Sequence, residues 1–561
     1  MNWRYRLILF FFAAAFFAII LRLFYWQSVR AEELRTLAEA QYGKSIQTSA
    51  KRGEIKTADS FPIAANKLAY RIFANPKEIR VKEKIARELS SLLSIDAGSL
   101  SARLSADKYW VPLASRVDSK VKDEIESLGF AGIGFEEQSI RLYPEASSAA
   151  TLLGFVGKDL NGADKGYFGI EGYYDRQLRG KEGIAVQIHD ALGRPILARM
   201  DDSKGEIDGR SLILHMDRGI QHLLEGELSK GIDKYGASSG MAVIMDPKTG
   251  GILGMAALPS FDPGNYQEYS DDVFKNPIIS DTYEPGSTFK PLVMAAALDS
   301  GVVRSDTRCL ACAGPIEIGE YQIKTWDNQY HANATMVDII QYSDNVGMVF
   351  ITQKLGIERM LAYIKKFGIG ELTGIDLQGE VVPTLKSSDS WYPIDIATVG
   401  FGQGISLTPI ELLSAFSAFA NEGKRMEPHI VAKIETVQGE AIVIPPKVSS
   451  KPVSTKTAKI MTEILVNAVN KGVLKWTKPK GYRIAGKTGT AQVAIAGHYD
   501  PDKTIASFIG FAPADDPKFS MLVILENATK GTFGSVTAAP IFFNIAKQVL
   551  TYYSIPPTES E

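Results

Sequence analysis

A chain of 561 residues is too long to form one hydrophobic core, so its length predicts two or three domains. The formal net charge of −2 gives no electrostatic reason to expect nucleic-acid binding. The six histidines lack H-E-x-x-H spacing and the single C-x-x-C pair has no second pair, which argues against a zinc site. We therefore expect no metal and no cofactor.

The first predicted element is a membrane-spanning helix. Leu7 to Trp26 is an apolar run broken only by Arg22, and as a helix it rises about 30 Å, the thickness of a bilayer core. Arg4 and Arg6 precede the run, whereas the arginines after it are mixed with glutamates. This bias favours a cytoplasmic N-terminus and an external remainder. Residues 1–40 are assigned to a cytoplasmic tip, this anchor and a juxtamembrane helix.

Two features of the anchor have alternative interpretations. A cleaved signal peptide is also apolar, but the bulky stretch Leu23 to Trp26 favours an uncleaved anchor. Arg22 either extends outward to the lipid head groups or faces a partner helix within the membrane.

Residues 41–190 form a predicted mixed α/β domain. Lys82 to Leu93 has the apolar spacing of a helix, and glycine-rich turns separate predicted strands. The region shows no Ser/His/Asp or paired-carboxylate pattern, so we expect an architectural role. Residues 191–237 form a connecting segment that contains a strand at Ser211 to His215 and a helix that begins near Asp217.

Residues 238–553 form the third predicted region. Gly240 to Met245 and Gly251 to Ala256 are apolar strands around a turn, which predicts a β-hairpin. Lys503 to Gly510 and Ser520 to Leu525 are expected to pair near the other end. Strands at both ends, with helices between them, predict an antiparallel sheet flanked by helices.

The remaining elements are a closing helix, a tail and a cysteine pair. The closing helix is predicted at Ala539 to Tyr553, and residues 554–561 are predicted to be a disordered tail. Cys309 and Cys312 lie outside the membrane in the predicted topology, where a small disulfide loop can form. A redox role needs a βαβ setting that the surrounding sequence lacks, so a structural interpretation is preferred.

Three short motifs in one order indicate a chemistry. They are Ser287-Thr288-Phe289-Lys290, Ser343-Asp344-Asn345 and Lys487-Thr488-Gly489-Thr490. Alone, each is usually a solvated helix face, a turn or an edge strand. Together they form the serine, lysine, Ser-x-Asn and Lys-Thr-Gly set of serine acyl-transfer enzymes. One pocket needs a nucleophile, a base, a proton relay and a carboxylate holder, so the conjunction predicts an active site.

The residue types suit acyl transfer. Ser287 is the predicted nucleophile, and Lys290, three residues later on a helix, is expected to reach its hydroxyl as the base. Lysine accepts a proton only when neutral, which requires desolvation or a nearby positive charge such as Lys487. Ser343 is predicted to relay a proton, and the Asn345 amide is predicted to hold a substrate backbone group.

A substrate-binding strand is predicted at Ile484 to Ala491. The backbone N–H groups of Ser287 and Thr490 are the candidate oxyanion hole, and Gly489 lets a substrate backbone approach closely. Lys487 and the hydroxyls of Thr488 and Thr490 are predicted to bind a carboxylate.

The chain resembles the class B penicillin-binding proteins from the membrane helix to about residue 550. Matching segments in the N-terminal part resemble that family's pedestal (dimerisation) domain: Arg52 to Ile55, Arg141 to Pro144, Gly169 to Glu171 and Leu178 to Gly180. Matching segments in the C-terminal part resemble its transpeptidase domain: Met245 to Gly250, Glu284 to Ser287, Gly402 to Gly404 and Leu407 to Pro409. One departure is Thr57-Ala58 and Ser60, where family members often carry Asp-Arg and Gly.

The resemblance implies an α+β multidomain enzyme of the bacterial cytoplasmic membrane. Ser287 would form an acyl-enzyme with a stem peptide ending in D-Ala-D-Ala, and β-lactams would acylate the same serine. Arg22 and the stretch after it look most like the division-specific branch of the family. That branch works beside a membrane-embedded glycan polymerase and other division proteins. The resemblance implies that the membrane helix and the pedestal would contact these partners. Alternatives are an elongation-specific transpeptidase, a hydrolase of the β-lactamase or carboxypeptidase type, and a β-lactam sensor or inactive scaffold.

Overall fold

The computed structural model describes residues 3–34, 43–48, 50–188, 206–386, 390–472, 474, 478–495 and 498–557. They fall into two units, Met1–Arg52 with Arg179–Gly209, and Gly53–Leu178 with Arg210–Glu561. Three predictions lie outside the described residues: the juxtamembrane helix after Leu34, the first part of the connecting segment and the end of the tail. The predicted domain boundaries stay predictions.

The first unit contains the predicted membrane helix. Helix α1 spans Trp3–Phe24 and continues into a π-helical turn, Tyr25–Val29. None of its residues is buried by the described protein, and its length and apolar composition fit a single-pass membrane anchor. The Arg22 guanidinium lies 5.7 Å from the centre of the Trp26 ring. Strands β1 (Gly43–Thr48) and β8 (Gly183–Ile188) pair antiparallel in the same unit.

The second unit holds the other helices. In chain order these are α2 Lys82–Leu93, α3 Ala97–Leu104, α4 Ser119–Ser127, α5 Ala150–Leu153, α6 Gly169–Tyr173, α7 Asp175–Arg179, α8 Arg218–Tyr235, α9 Pro277–Ser280, α10 Lys290–Asp299, α11 Met336–Tyr342, α12 Asn345–Leu355, α13 Ile357–Lys366, α14 Pro393–Val399, α15 Pro409–Ala420, α16 Thr455–Lys471 and α17 Ala538–Tyr552. Short 3₁₀ turns occur at Pro263–Glu268, Asp271–Phe274 and Gly286–Thr288.

The strands of this unit are more numerous than the sequence predicts. In chain order they are β2 Ile55–Lys56, β3 Pro62–Ala74, β4 Val111–Val117, β5 Ile133–Leu142, β6 Phe155–Lys158, β7 Asp164–Tyr167, β9 Ser211–Leu214, β10 Ser239–Met245, β11 Ile252–Leu258, β12 Arg308–Cys309, β13 Ile316–Ile318, β14 Tyr321–Ile323, β15 Ala334–Thr335, β16 Arg425–Met426, β17 Val431–Glu435, β18 Ala441–Val443, β19 Val448–Ser450, β20 Ala485–Ile495, β21 His498–Ala512 and β22 Phe519–Glu526.

A five-stranded antiparallel sheet forms the centre of the C-terminal region. Its order is β11-β10-β22-β21-β20, so the first and last strands along the chain meet through β10 and β22. The predicted β10–β11 hairpin and the predicted β21–β22 pair are both confirmed. Helices α8 and α17 pack on one face, where side chains such as Phe508 and Phe542 form a buried cluster. The predicted fold class, an antiparallel sheet flanked by helices, is confirmed.

A second large sheet joins the N-terminal and C-terminal parts. Its order is β18-β17-β9-β2-β3-β4, with β5 paired to β3. Strand β9 is parallel to β2 and antiparallel to β17, so it lies between strands that are far apart in sequence. This pairing is not predictable from the sequence, because no residue pattern in β17 or β18 assigns them to this sheet rather than to the five-stranded one.

Helix α10 fixes the position of the first motif. Residues Lys290 through Ala297 are all buried, so this helix is surrounded by protein on every side. Cys309 and Cys312 form the small disulfide loop that their spacing allowed, and both are fully buried.

Candidate active site

Ser287 lies in a tight turn directly before α10. The turn is the 3₁₀ segment Gly286–Thr288, held by a hydrogen bond from Gly286 N–H to the Gly402 carbonyl at 3.0 Å. Thr288 Oγ1 donates to the Pro285 carbonyl at 2.7 Å. Gly402 must be glycine here, since an added Cβ would lie 2.1 Å from the Gly286 oxygen. The turn therefore holds the serine rigidly.

Lys290 is fully buried and makes three polar contacts. Its Nζ donates to the Ser343 carbonyl at 2.6 Å, to Asn345 Oδ1 at 2.8 Å and to Ser343 Oγ at 3.2 Å. A neutral amine has two N–H groups and one lone pair. The two shorter contacts can take these N–H groups, so the lone pair can receive the Ser343 hydroxyl hydrogen once that hydrogen turns from Ser287 towards Lys290.

Ser343 is the centre of the site. It ends α11 in the left-handed conformation, with φ 57° and ψ 41°. Its Oγ donates to Ser287 Oγ at 3.0 Å and accepts from Lys487 Nζ at 3.0 Å. One hydroxyl therefore contacts the predicted nucleophile and both predicted lysines.

Among the described residues no hydrogen bond joins Lys290 directly to Ser287, and Ser343 links the two instead. The α-helix begins only at Lys290, and Ser287 belongs to the 3₁₀ turn before it. A buried amine also needs acceptors for its N–H groups, and Ser343 and Asn345 supply them. These acceptors hold the Lys290 amine at the Ser343 side of the site.

Lys487 approaches from β20, the outer strand of the central sheet. It is 4% exposed. Besides Ser343, its Nζ contacts the Thr488 carbonyl at 3.1 Å and Thr488 Oγ1 at 3.3 Å. Lys487 and Thr488 thus form a cationic, hydroxyl-bearing group beside the serine, which is chemistry suited to a carboxylate.

Burial controls the charge of both lysines. Burial first, and the positive charge of Lys487 second, place the pKa of Lys290 well below its ordinary value, while Asp344 acts in the opposite direction. Burial alone lowers the pKa of Lys487 to about 7. The site thus favours a neutral Lys290, which can accept a proton.

Gly489 and Thr490 lie where β20 passes the serine turn. An added Cβ on Gly489 would lie 2.4 Å from Ser507 Oγ and 3.0 Å from the Pro285 carbonyl, so a larger residue does not fit. Thr490 Oγ1 accepts a hydrogen bond from Gly534 N–H at 3.0 Å. Among the described residues β20 pairs only with β21, which leaves its outer edge open. The roles predicted for Gly489 and Thr490 stay predictions.

The Asn345 amide is already engaged. Its Oδ1 accepts from Lys290, and its Nδ2 donates to the Lys324 carbonyl at 3.1 Å. One amide hydrogen remains for a substrate, so the predicted contact with a substrate backbone stays a prediction. The amide also fastens Lys290 to the loop that carries Lys324.

Sequence reasoning missed two aromatic residues beside the site. Trp326 Nε1 donates to the carbonyl of Tyr342, the residue before Ser343, at 3.1 Å. The Trp326 ring lies 5.7 Å from the Phe533 ring, and Phe533 precedes Gly534, which contacts Thr490. Both aromatic residues lie in loops without a periodic pattern, so only the tertiary contacts identify them.

Replacing Lys487 with methionine should flatten the pH dependence of the free energy of unfolding above about pH 7. The pKa of Lys487 is about 7 in the folded protein against an ordinary value of 10.5. Between these values the unfolded chain binds a proton that the folded protein does not, so stability rises with pH through this window. Urea titrations at several pH values measure the slope. Lys530→Met, at an exposed lysine, is the control, and an equal slope in Lys487→Met and wild type would contradict the assignment.

Two families match the chain in adjacent regions. Residues 240–547 match the penicillin-binding protein transpeptidase domain, and residues 47–214 match the penicillin-binding protein dimerisation domain. The three motifs all lie within the first match.

Named relatives match over nearly their whole length. Stage V sporulation protein D of Bacillus subtilis is 35% identical, over 100% of this chain and 87% of the relative. Peptidoglycan D,D-transpeptidase FtsI of Escherichia coli K12 is 30% identical, over 99% of this chain and 93% of the relative. The crystal structure of penicillin-binding protein 3 from Mycobacterium tuberculosis, complexed with aztreonam, has a TM-score of 0.70 at 25% identity, over 91% of this chain and 98% of that one.

Proposed function

The chain belongs to the class B penicillin-binding proteins, which are peptidoglycan D,D-transpeptidases, and from this premise we propose that it cross-links stem peptides during septal cell-wall synthesis. The reaction passes through an acyl-enzyme on Ser287. The observation that carries the proposal is the Ser343 hydroxyl, which lies within hydrogen-bonding distance of Ser287 and of both lysines.

Acylation begins with the Ser287 proton. The Ser343 hydroxyl hydrogen first turns from Ser287 to the neutral Lys290 amine; the Ser287 hydroxyl then gives its proton to Ser343 Oγ while Ser343 gives its own proton to Lys290. The Ser287 oxygen bonds to the carbonyl carbon between the two D-alanines of the donor stem peptide. The peptide C–N bond then breaks, and the departing D-alanine amine takes the proton from Lys290 through Ser343. The donor remains on Ser287 as an ester.

Transfer reverses these proton movements. The amine of a second stem peptide attacks the ester carbonyl and loses a proton to Lys290 through Ser343. The ester C–O bond breaks, a new peptide bond remains, and Ser287 regains its proton. Lys290 thus acts as base and then as acid in each half of the reaction.

The open edge of β20 suits an extended stem peptide. Backbone hydrogen bonds along an edge strand give affinity without requiring particular side chains. Lys487, with the hydroxyls of Thr488 and Thr490, binds the terminal carboxylate, and the carboxylate in turn favours the charged form of Lys487. The N–H groups of Ser287 and Thr490 stabilise the oxyanion.

A β-lactam is proposed to react at the same serine. It carries an anionic group beside a strained amide, so it meets the same groups as the D-Ala-D-Ala end. The aztreonam complex of the Mycobacterium tuberculosis relative supports this proposal. The Ser287 oxygen bonds to the lactam carbonyl carbon and the amide C–N bond breaks, but the nitrogen stays tethered to the acyl group through the remaining ring atoms and so blocks transfer to an amine.

The membrane topology and partners complete the proposal. The N-terminus lies in the cytoplasm and the catalytic region lies outside, where the cell wall is built. Arg22, the one charged residue in the apolar run Leu7 to Trp26, faces a membrane-embedded glycan polymerase or another division protein. The pedestal provides further contacts. The similarity to FtsI over 99% of the chain supports the division branch.

A tagged full-length protein should concentrate at the division septum of growing cells. Arg22→Leu should weaken co-purification of the membrane polymerase and septal recruitment, because the apolar run Leu7 to Trp26 remains but the one charge within it is lost. Arg30→Leu, beyond the apolar helix, is the matched control. Uniform wall labelling would favour elongation, and unchanged recruitment of Arg22→Leu would favour a lipid-facing Arg22.

Sporulation is the second candidate setting for the same reaction. The relative with 35% identity is named for a stage of sporulation. Septal localisation only in sporulating cells, with none in growing cells, would select this setting over division.

A further inference from the structure

Asp344 is a buried carboxylate that the mechanism above does not use. It lies between Ser343 and Asn345, the two residues that contact Lys290, and it is 1% exposed. Its Oδ1 accepts a hydrogen bond from Gly347 N–H at 3.0 Å and so caps helix α12. Its Oδ2 is also buried and makes no hydrogen bond in the described part of the chain.

Helix capping alone does not explain a charged residue here. Capping uses one oxygen, and asparagine or serine caps as well as aspartate. Burying a carboxylate whose second oxygen has no hydrogen-bond partner is costly unless positive charge lies nearby. The groups at this site that can carry positive charge are Lys487 and, when it holds a proton, Lys290, both of which are buried.

Other acidic groups near α10 are engaged elsewhere. Asp299, at the end of α10, accepts from Ser454 and Thr457. Glu411, at the start of α15, accepts from Thr408 and Gly370. The charged groups that act on Lys290 are Lys487 from β20 and Asp344.

We propose that Asp344 is an electrostatic positioning residue, whose buried carboxylate acts on Lys290 in opposition to Lys487 and sets the pH range in which Lys290 can accept a proton. The inference rests on the proposed role of Lys290 as the base. Asp344 does not touch the reacting atoms, and it acts through the lysine that contacts its two neighbours in the chain.

The direction of the effect follows from the charges. Burial and Lys487 lower the pKa of Lys290, and the Asp344 carboxylate raises it. Without that carboxylate, Lys290 would lose its proton at a lower pH. Acylation needs the neutral amine, so the acid limb of the pH profile of the acylation rate should move to lower pH.

The test compares Asp344→Asn with wild type in the full-length, detergent-solubilised protein. Acylation by a fluorescent penicillin is measured across pH, and each profile is normalised to its own plateau. We expect the normalised rate of Asp344→Asn to be several-fold higher than that of wild type on the acid limb. Asp217→Asn is the matched control, because Asp217 caps α8 through Ile220 N–H at 3.0 Å and its change should leave the profile unmoved.

A purely structural role would lower the plateau and the melting temperature without moving the limb. Superimposable normalised profiles, or a limb that moves to higher pH, would overturn the inference. If Asp344→Asn does not fold, Asp344→Ser removes the same charge and keeps a capping hydroxyl. An unmoved profile alongside loss of labelling in Ser287→Ala would refute only the role of Asp344, whereas persistent labelling of Ser287→Ala would refute the proposed function itself.

Discussion

Replacing Ser287 with alanine should abolish covalent labelling of the protein by a fluorescent penicillin. In the proposed mechanism the Ser287 hydroxyl oxygen becomes the ester oxygen, and no neighbouring group can substitute for it at the same position. Ser343 Oγ lies 3.0 Å away, but it is held by hydrogen bonds from both lysines. We expect loss of labelling to the background of a denatured sample, measured in gels and by intact-protein mass spectrometry.

The fold should survive this change. Ser287 forms its turn through backbone groups, and Gly286 and Thr288 supply the hydrogen bonds that hold the turn. The melting temperature of Ser287→Ala should therefore stay close to that of wild type. The matched control is Ser300→Ala, which removes a hydroxyl at the other end of α10 and should label normally. A labelled Ser287→Ala protein would remove Ser287 from the proposed mechanism.

Replacing Lys290 with alanine should slow acylation by about 10²- to 10⁴-fold, the range for loss of a positioned general base. Ser343 would keep its contact with Ser287 but would have no neutral amine to receive its proton. Lys487 also contacts Ser343, yet its proposed task requires the charged form. Stopped-flow acylation by a chromogenic β-lactam measures the rate.

Lys290→Arg separates charge from basicity. A guanidinium keeps its proton at all relevant pH values, so this variant should be as slow as Lys290→Ala. Lys354→Ala, at an exposed lysine of α12, should acylate at the wild-type rate. A near-wild-type rate in Lys290→Ala would show that another group, with Lys487 the first candidate, takes the Ser287 proton.

Local patterns predicted much of the framework. The apolar runs on either side of the turn residues Asp246 to Gly250 predicted the β10–β11 hairpin, because hairpin pairing depends on neighbouring residues. Helix α2 has the predicted bounds, Lys82–Leu93, because its apolar spacing is helical from end to end. The pairing of β17 with β9 was not predictable in this way, since the two strands are joined only through tertiary contacts.

By itself the sequence determined which groups the candidate site contains: two serines, two lysines, an amide and a glycine-bearing strand, together with an apolar helix long enough to cross a membrane. Residue type and short spacing carry that information, because nucleophilicity, charge and helix length are local properties. Only the tertiary structure decided that Ser343 lies between Ser287 and Lys290, and that both lysines are buried. The distances between the three motifs, and the exclusion of water from the two lysines, depend on how the whole core packs. These distances and this burial decide where protons can move.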